Sequence, residues 1–200
     1  MNNNEIKDTE ELPHGQFEGT ITVIEDINRV TEIVNKIKET DVIGFDTETK
    51  PAFKKGEKHK IALLQISTFN EAYLFRLNKT GFTPDMINLL EDNNILKIGV
   101  GIRDDLRGLN VFRRFKPGGF IELQDMAKTL QLETISLKGL AAKILNLHIS
   151  KRQRLTNWEA DTLTQAQIDY AATDAWTALS IFNKLMLMKP ALQPQKVNYL

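Results

Sequence analysis

The chain has 200 residues, 26 basic and 26 acidic side chains, 42% hydrophobic content and no cysteine. That length and composition suit one folded domain, and the missing cysteines exclude disulfides, thiolate nucleophiles and cysteine-ligated zinc. Zero net charge argues against a protein that grips long duplexes through bulk electrostatics, so any nucleic-acid contact is expected to be local.

The start, Met1 to Leu12, is Asn-rich and acidic, without a basic stretch followed by an apolar one. No later segment approaches the roughly 20 apolar residues of a membrane span, so a cytoplasmic location without a membrane partner is the expectation. The expected organisation is a flexible tail over 1–16, a folded domain over 17–190 and a second tail over 191–200.

Thr20 to Ile24 alternates weakly and predicts an edge strand. From Asp26 to Thr40, Ile27, Val30, Ile33, Val34 and Ile37 recur at helical spacing and predict an amphipathic helix. Val42 to Glu48 is apolar and then abruptly acidic, as expected of a buried strand whose carboxyl end opens on a site. Ile61 to Ser67 and Ala72 to Phe75, joined by residues 68–71, predict an antiparallel hairpin. A helix over Thr83 to Glu91, a strand over Leu96 to Val100, a helix beginning near Arg103 and a strand over Phe120 to Leu123 follow. Beyond Asp125 helices take over: one over Ser136 to Leu145, and a last one opened by the capping-box pair Thr164 and Gln167 and stopped by Pro190. The fold class is therefore α/β, a mixed five- to six-stranded sheet flanked by helices, with a helical C-terminal half.

Asp46 and Glu48, two apart on a strand, project from one face and can approach one point. Two like charges held together call for a cation or a proton, and a divalent metal is the economical partner; a strand end that has merely reached solvent is the alternative. Asp105 lies just beyond the strand over Leu96 to Val100, where ligands collect in doubly wound sheets. By spacing alone, either Asp104 or Asp105 could instead be a helix cap. Tyr170 and Asp174, four apart on the last helix with alanines between, share a face; a solvent-facing aspartate beside a rim tyrosine is the alternative.

Together these residues make an ordered pattern: D-x-E on a strand, a later Asp at a strand-to-helix junction, and Y-x-x-x-D on a closing helix. The pattern resembles the DEDD exonuclease superfamily over Phe17 to Met188. Ile43-Gly44-Phe45-Asp46-Thr47-Glu48 is similar to the first motif of that family, and Gly99-Val100-Gly101-Ile102 with Asp105 and Leu109 to the second. Asn157-Trp158, Leu163-Thr164, Gln167 and Tyr170 to Ala175 are similar to the third. The histidine of the sister branch would stand at Asp169, so the resemblance is to the tyrosine branch, which includes ribonuclease D and the Werner-syndrome exonuclease domain.

The resemblance selects Asp105 over Asp104 and implies a ribonuclease H-like fold. It further implies a 3′-5′ exonuclease working with two Mg2+ or Mn2+ ions. Asp46 would bridge the ions, Glu48 and Asp174 would complete the one that activates water, and Asp105 would serve the other. Tyr170 would orient the water, since an ordinary phenol pKa of about 10 favours positioning over proton abstraction. Thr47, Leu64 and Gln65 would border the terminal nucleotide.

For the substrate groove, Lys50, Lys54, Lys55, Lys58 and Lys60 form a cationic loop expected beside the site, with a solvated hairpin as the alternative. Arg103 with Arg107, Arg113 and Arg114, and Lys151, Arg152 and Arg154, are further phosphate-binding candidates, Arg103 being nearest the site. His14, His59 and His148 match no zinc spacing, and Trp158 and Trp176 read as packing residues. The expected substrate is a single-stranded 3′ end or recessed duplex end, DNA favoured over RNA, with an unidentified protein partner lending affinity. Competing readings are a non-catalytic nucleic-acid-binding module and an endonuclease or integrase on the same fold.

Overall fold

The computed structural model describes residues 12–189, 192 and 194–196. Six strands form one sheet: β1 (Thr20–Ile24), β2 (Val42–Thr49), β3 (Ile61–Ser67), β4 (Glu71–Arg76), β5 (Leu96–Gly99) and β6 (Phe120–Glu122), in the order β1-β4-β3-β2-β5-β6. β3 runs antiparallel to both β2 and β4, while β1 pairs parallel with β4 and β5 pairs parallel with β2 and β6. The sheet is mixed, with the expected edge strand at one margin.

Side-chain alternation gives the sheet two faces. On one, Ile43, Phe45, Leu64, Ile66, Tyr73 and Phe75 join a core with α1 (Val30–Ile37), α3 (Pro84–Glu91) and α4 (Ile102–Asn110). Val30, Ile33, Val34 and Ile37 of α1 are all buried there, as their spacing requires. Between β4 and α3 lies a single turn, α2 (Leu77–Thr80), too short for a periodic pattern to announce it.

The other face carries α7 (Gln165–Met188), the longest helix. Thr164 accepts from the Gln167 amide, and the Gln167 side chain accepts from the Thr164 amide; such a cap is worth about 1 kcal/mol. Early in α7, Ala171 packs on Leu63 and Leu74. Further along, Ala178, Leu179, Phe182 and Leu185 pack on Ile98 and Ile121 in a cluster shared with Leu123, Met126 and Ala127 of α5 (Leu123–Thr129). Where α7 crosses β2, a Cβ on Gly44 would lie 2.0 Å from the Ala175 carbonyl oxygen, so only glycine permits that approach.

Three boundaries differ from the sequence reading. The stretch from Asp26 to Thr40 opens as a 3-10 turn over Ile27–Arg29, because the Asp26 side chain accepts from the Asn28 amide and delays the α-helix to Val30. The apolar stripe over Ser136 to Leu145 is α6 (Leu137–Leu140) followed by a wide π-turn over Ala141–Leu145, closed by Asn146 at φ 58°. Parts of both expected tails (1–11, 191, 193 and 197–200), and the last residue of the expected domain (190), lie outside the described residues. Within the described part, residues 13–15 pair with His148, and Lys196 bridges Ile121.

Two cations are buried in this frame. Lys97 on β5 donates to the carbonyls of Asp92 (2.5 Å), Ile95 (3.0 Å) and Gly118 (2.8 Å), and burial lowers its pKa to about 8. Arg76 on β4 donates to Glu25 (2.9 Å) and to the carbonyls of Ala160 and Asp161, which binds the segment before α7 to the sheet.

Candidate active site

Strand lengths create the site. β2 runs to Thr49, whereas its neighbour β5 stops at Gly99, after Gly44 has paired with Ile98. Asp46 and Glu48 therefore stand beside a gap in the sheet, on the α7 side. The chain fills the gap by turning at Gly101, which takes a left-handed conformation (φ 80°) open to glycine, and entering α4. Glu122, at the end of β6, holds that turn: its carboxylate accepts from the amides of Gly101 (3.0 Å) and Ile102 (2.9 Å). Asp105, one turn into α4, thus reaches β2 from the opposite face.

A cleft of about 380 Å³ is lined by Asp46, Glu48, Asp105, Tyr170 and Asp174, together with Thr47. Glu48 and Asp174 are buried, and Asp46 and Asp105 half-buried. Burial, reinforced by the Asp174 charge, pushes the Asp46 carboxyl up to about 8. Burial and the charges of Asp46, Asp174 and Asp105 push Glu48 to about 9, with Arg154 opposing. Burial raises Asp174 to about 7 against the Tyr170 hydrogen bond and the Lys151 charge, and burial with the Asp46 charge raises Asp105 well above its ordinary value. The Tyr170 phenol is likewise raised, by burial and then by Asp174 and Glu48.

Two hydroxyls hold two of the acids: Thr47 Oγ1 donates to Asp105 (2.5 Å), and Tyr170 shares a side-chain hydrogen bond with Asp174. Asp46 accepts from the Thr47 amide (2.9 Å). Among the described residues, no three acids or histidines converge as a ready-made cage for an ion. The four carboxylates share a cleft rather than a point.

Leu64 and Gln65 stand elsewhere than expected. Leu64 is fully buried in the core on the opposite face, because β3 alternation directs it away from Asp46. Gln65 pairs across from Asp46 but lies wholly buried, its side-chain amide without a hydrogen-bond partner among the described residues, and neither residue lines the cleft. Arg103 also turns away, donating to Asp125 at 3.0 Å.

The cationic wall comes from Lys138, Lys151 and Arg154. Lys151 and Arg154 were among the candidates, whereas Lys138 was missed; its sole signal was its place in α6. Lys50 pairs with Glu159, Lys60 lies over the Phe112 ring, and Lys54, Lys55 and Lys58 are exposed, so the loop after β2 is the solvated hairpin. Arg107 pairs with Asp104, and Arg113 and Arg114 do not line the cleft. Trp158 is fully buried with its ring 6.0 Å from that of Tyr170, so it packs behind the tyrosine.

A family model described as 3′-5′ exonuclease matches residues 21–189. The chain belongs to that family. It is 35% identical over 188 residues to the bifunctional 3′-5′ exonuclease/ATP-dependent helicase WRN of Mus musculus, covering 87% of this chain and 13% of that protein. It is also 30% identical over 186 residues to ribonuclease D of Haemophilus influenzae, covering 90% of this chain and 43% of that one. The chain thus spans less than half the length of either. Among solved structures, the Aedes aegypti Nibbler EXO domain superposes with a TM-score of 0.78 at 18% identity, covering 88% of this chain and 91% of that one. Escherichia coli RNase D does so at 0.75 and 23%, covering 86% and 46%. Both share the ribonuclease H-like fold.

Proposed function

We propose that this exonuclease-family chain hydrolyses the 3′-terminal phosphodiester bond of a nucleic-acid strand in the acidic cleft, with two divalent cations. The observation that carries the reading is the meeting of four carboxylates from β2, α4 and α7 with Tyr170 in one cleft, opposite a cationic wall. The donor set fits such ions: every candidate ligand is a carboxylate oxygen, the choice of hard cations, and all four carboxyls are held above their ordinary pKa by burial. Asp46, Glu48, Asp105 and Asp174 would hold the ions, with Thr47 orienting the Asp105 carboxylate. Magnesium or manganese there would supply an activated water and charge compensation for the departing 3′ oxygen.

The chain's own residues do the rest. Lys151 and Arg154, which form no ion pair within 4.0 Å among the described residues, are free to hold the phosphate backbone. Tyr170 stays a neutral phenol, fixed by Trp158 and Asp174, and orients the water rather than deprotonating it. Thr47 keeps Asp105 turned toward the cleft.

For the sugar, DNA is the first reading. RNA is the second, favoured by the fold neighbour Trypanosoma brucei RNase D, solved in complex with RNA U12 (TM-score 0.73, 20% identity). Matched 5′-labelled DNA and RNA strands, incubated with magnesium, manganese or a chelator, test both points. Stepwise shortening from the 3′ end that stops with chelator is expected. Internal cuts would mean an endonuclease, and retarded but intact strands a binding module.

A further inference from the structure

Residues 13–17, expected to begin as a tail, form a strap across α7. Gly15 N donates to the His148 carbonyl (2.8 Å) and His148 N to the Pro13 carbonyl (2.9 Å). The strap is thereby stitched to the segment that leads into Ser150, Lys151 and Arg154. Two residues on, Phe17 N donates to Thr173 Oγ1 (3.0 Å), next to Asp174, and the Phe17 ring is buried against Ala72 and Ala172. The stitch is tight: a Cβ at Gly15 would lie 3.1 Å from Leu147 Cβ.

This strap lies outside residues 21–189 matched by the family model, yet it walls a cavity of about 250 Å³ beside the acidic cleft. His14, Gly15 and Gln16 form one wall, with Arg152, Gln153 and Asp169 facing them. Ser150, Tyr170 and Asp174 line both the cavity and the cleft, so the two adjoin. The volume suits one nucleotide unit rather than a duplex. Of the charged groups, Asp174 belongs to the acidic cleft and Arg152 stands against Asp169, so one guanidinium is the sole cation of the lining, beside amide, hydroxyl and imidazole groups. A free mononucleotide, with its dianionic phosphate, asks for several cations; a base and sugar ask for neutral hydrogen-bonding groups.

We infer that this second compartment receives the base and sugar of the nucleotide adjoining the one being removed, and that the strap sets its width. The inference rests on the exonuclease reading of the acidic cleft. It assigns substrate affinity to Gln16 and to the close seat of Gly15, neither of which touches the reacting atoms.

The test compares wild type with Gln16→Ala, whose side chain is exposed, and with Gly15→Val, which pushes the strap off Leu147. Each is assayed with magnesium on a 5′-labelled oligothymidylate and on the p-nitrophenyl ester of thymidine 5′-phosphate, whose aryl group replaces the adjoining nucleoside and offers the second compartment neither base nor sugar. Anisotropy of the labelled oligothymidylate in calcium reads binding without turnover. Both variants should raise the oligonucleotide KM and weaken binding by about tenfold, with ester hydrolysis kept within about twofold of wild type.

Unchanged oligonucleotide KM and binding, or equal losses on both substrates, would overturn the inference. So would weaker inhibition of the variants by thymidine 5′-monophosphate in step with the KM, which would assign the compartment to the product. Should wild type hydrolyse neither substrate, the exonuclease reading falls and the inference with it; should wild type hydrolyse both and the variants bind the oligonucleotide equally well, the compartment alone falls. If Gly15→Val melts early by circular dichroism, the same outcomes are read from Gln16→Ala, which leaves the backbone of the strap in place.

Discussion

Buried charge occurs at both ends of β2 and is handled in opposite ways. Near its start, Lys97 of the adjoining β5 is wholly enclosed, but three backbone carbonyls meet its ammonium group. Near its end, Asp46 and Glu48 face two more carboxylates, with hydroxyl and amide donors but, among the described residues, no ammonium or guanidinium group in hydrogen-bonding contact. Burying an ion costs several kcal/mol in either place. At Lys97 the fold supplies the compensation itself, and that cation is structural; at the acids it leaves most of the compensation to something that binds.

Asp174→Asn should cause the largest effect. Turnover on a labelled strand should fall on the order of 10³-fold, because a metal ligand is worth several kcal/mol, while the melting temperature in chelator should hold or rise as repulsion eases. A lower melting temperature would place Asp174 with Lys97 among the structural charges. Next comes Tyr170→Phe, expected to cut kcat about 10²-fold with the magnesium concentration for half-activity unchanged; unchanged kcat would remove the phenol from the reaction.

Lys97→Met should do the reverse of the acid variants. Stranding three carbonyls should cost about 2 kcal/mol in urea unfolding, with kcat per folded molecule unaltered. Loss of activity without loss of stability would erase the contrast. The mildest perturbation is pH. Because the folded carboxyls sit near 7, 8 and 9, above their unfolded values, the native chain binds more protons than the unfolded one between about pH 4 and pH 9. Stability in chelator is therefore full near pH 4 and is lost as pH rises toward 9, read as a falling melting temperature. Magnesium should flatten the fall. Lys97, with its folded pKa lowered to about 8, acts oppositely, adding stability as pH rises from about 8 to its unfolded value near 10.5. A Lys97→Met background removes that rise and isolates the acids.

Much of this was legible in the sequence, for identifiable reasons. Two-residue spacing put Asp46 and Glu48 on one face, four-residue spacing paired Tyr170 with Asp174, and Thr164 with Gln167 marked the start of α7. Such local rules hold because backbone geometry enforces them. What escaped depends on long-range packing. Period two says that Leu64 and Gln65 face opposite ways but not which face the last helix covers, and here both ended buried. Arg103 was near Asp105 in sequence, yet Asp125 captures it from α5. Lys138 reaches the cleft through α6, whose path no local pattern discloses, and the pairing of residues 13–15 with His148 spans most of the chain.

The crossing of α7 over Gly44 has a genetic consequence. With the Ala175 carbonyl seated where a methyl group would go, any other amino acid at position 44 must lift the helix, and Tyr170 and Asp174 would travel with it. A homologue or natural allele could thus keep every acidic residue and the tyrosine and still be inert. Counting the reactive groups would pass it as intact; reading the smallest residue on β2 would not.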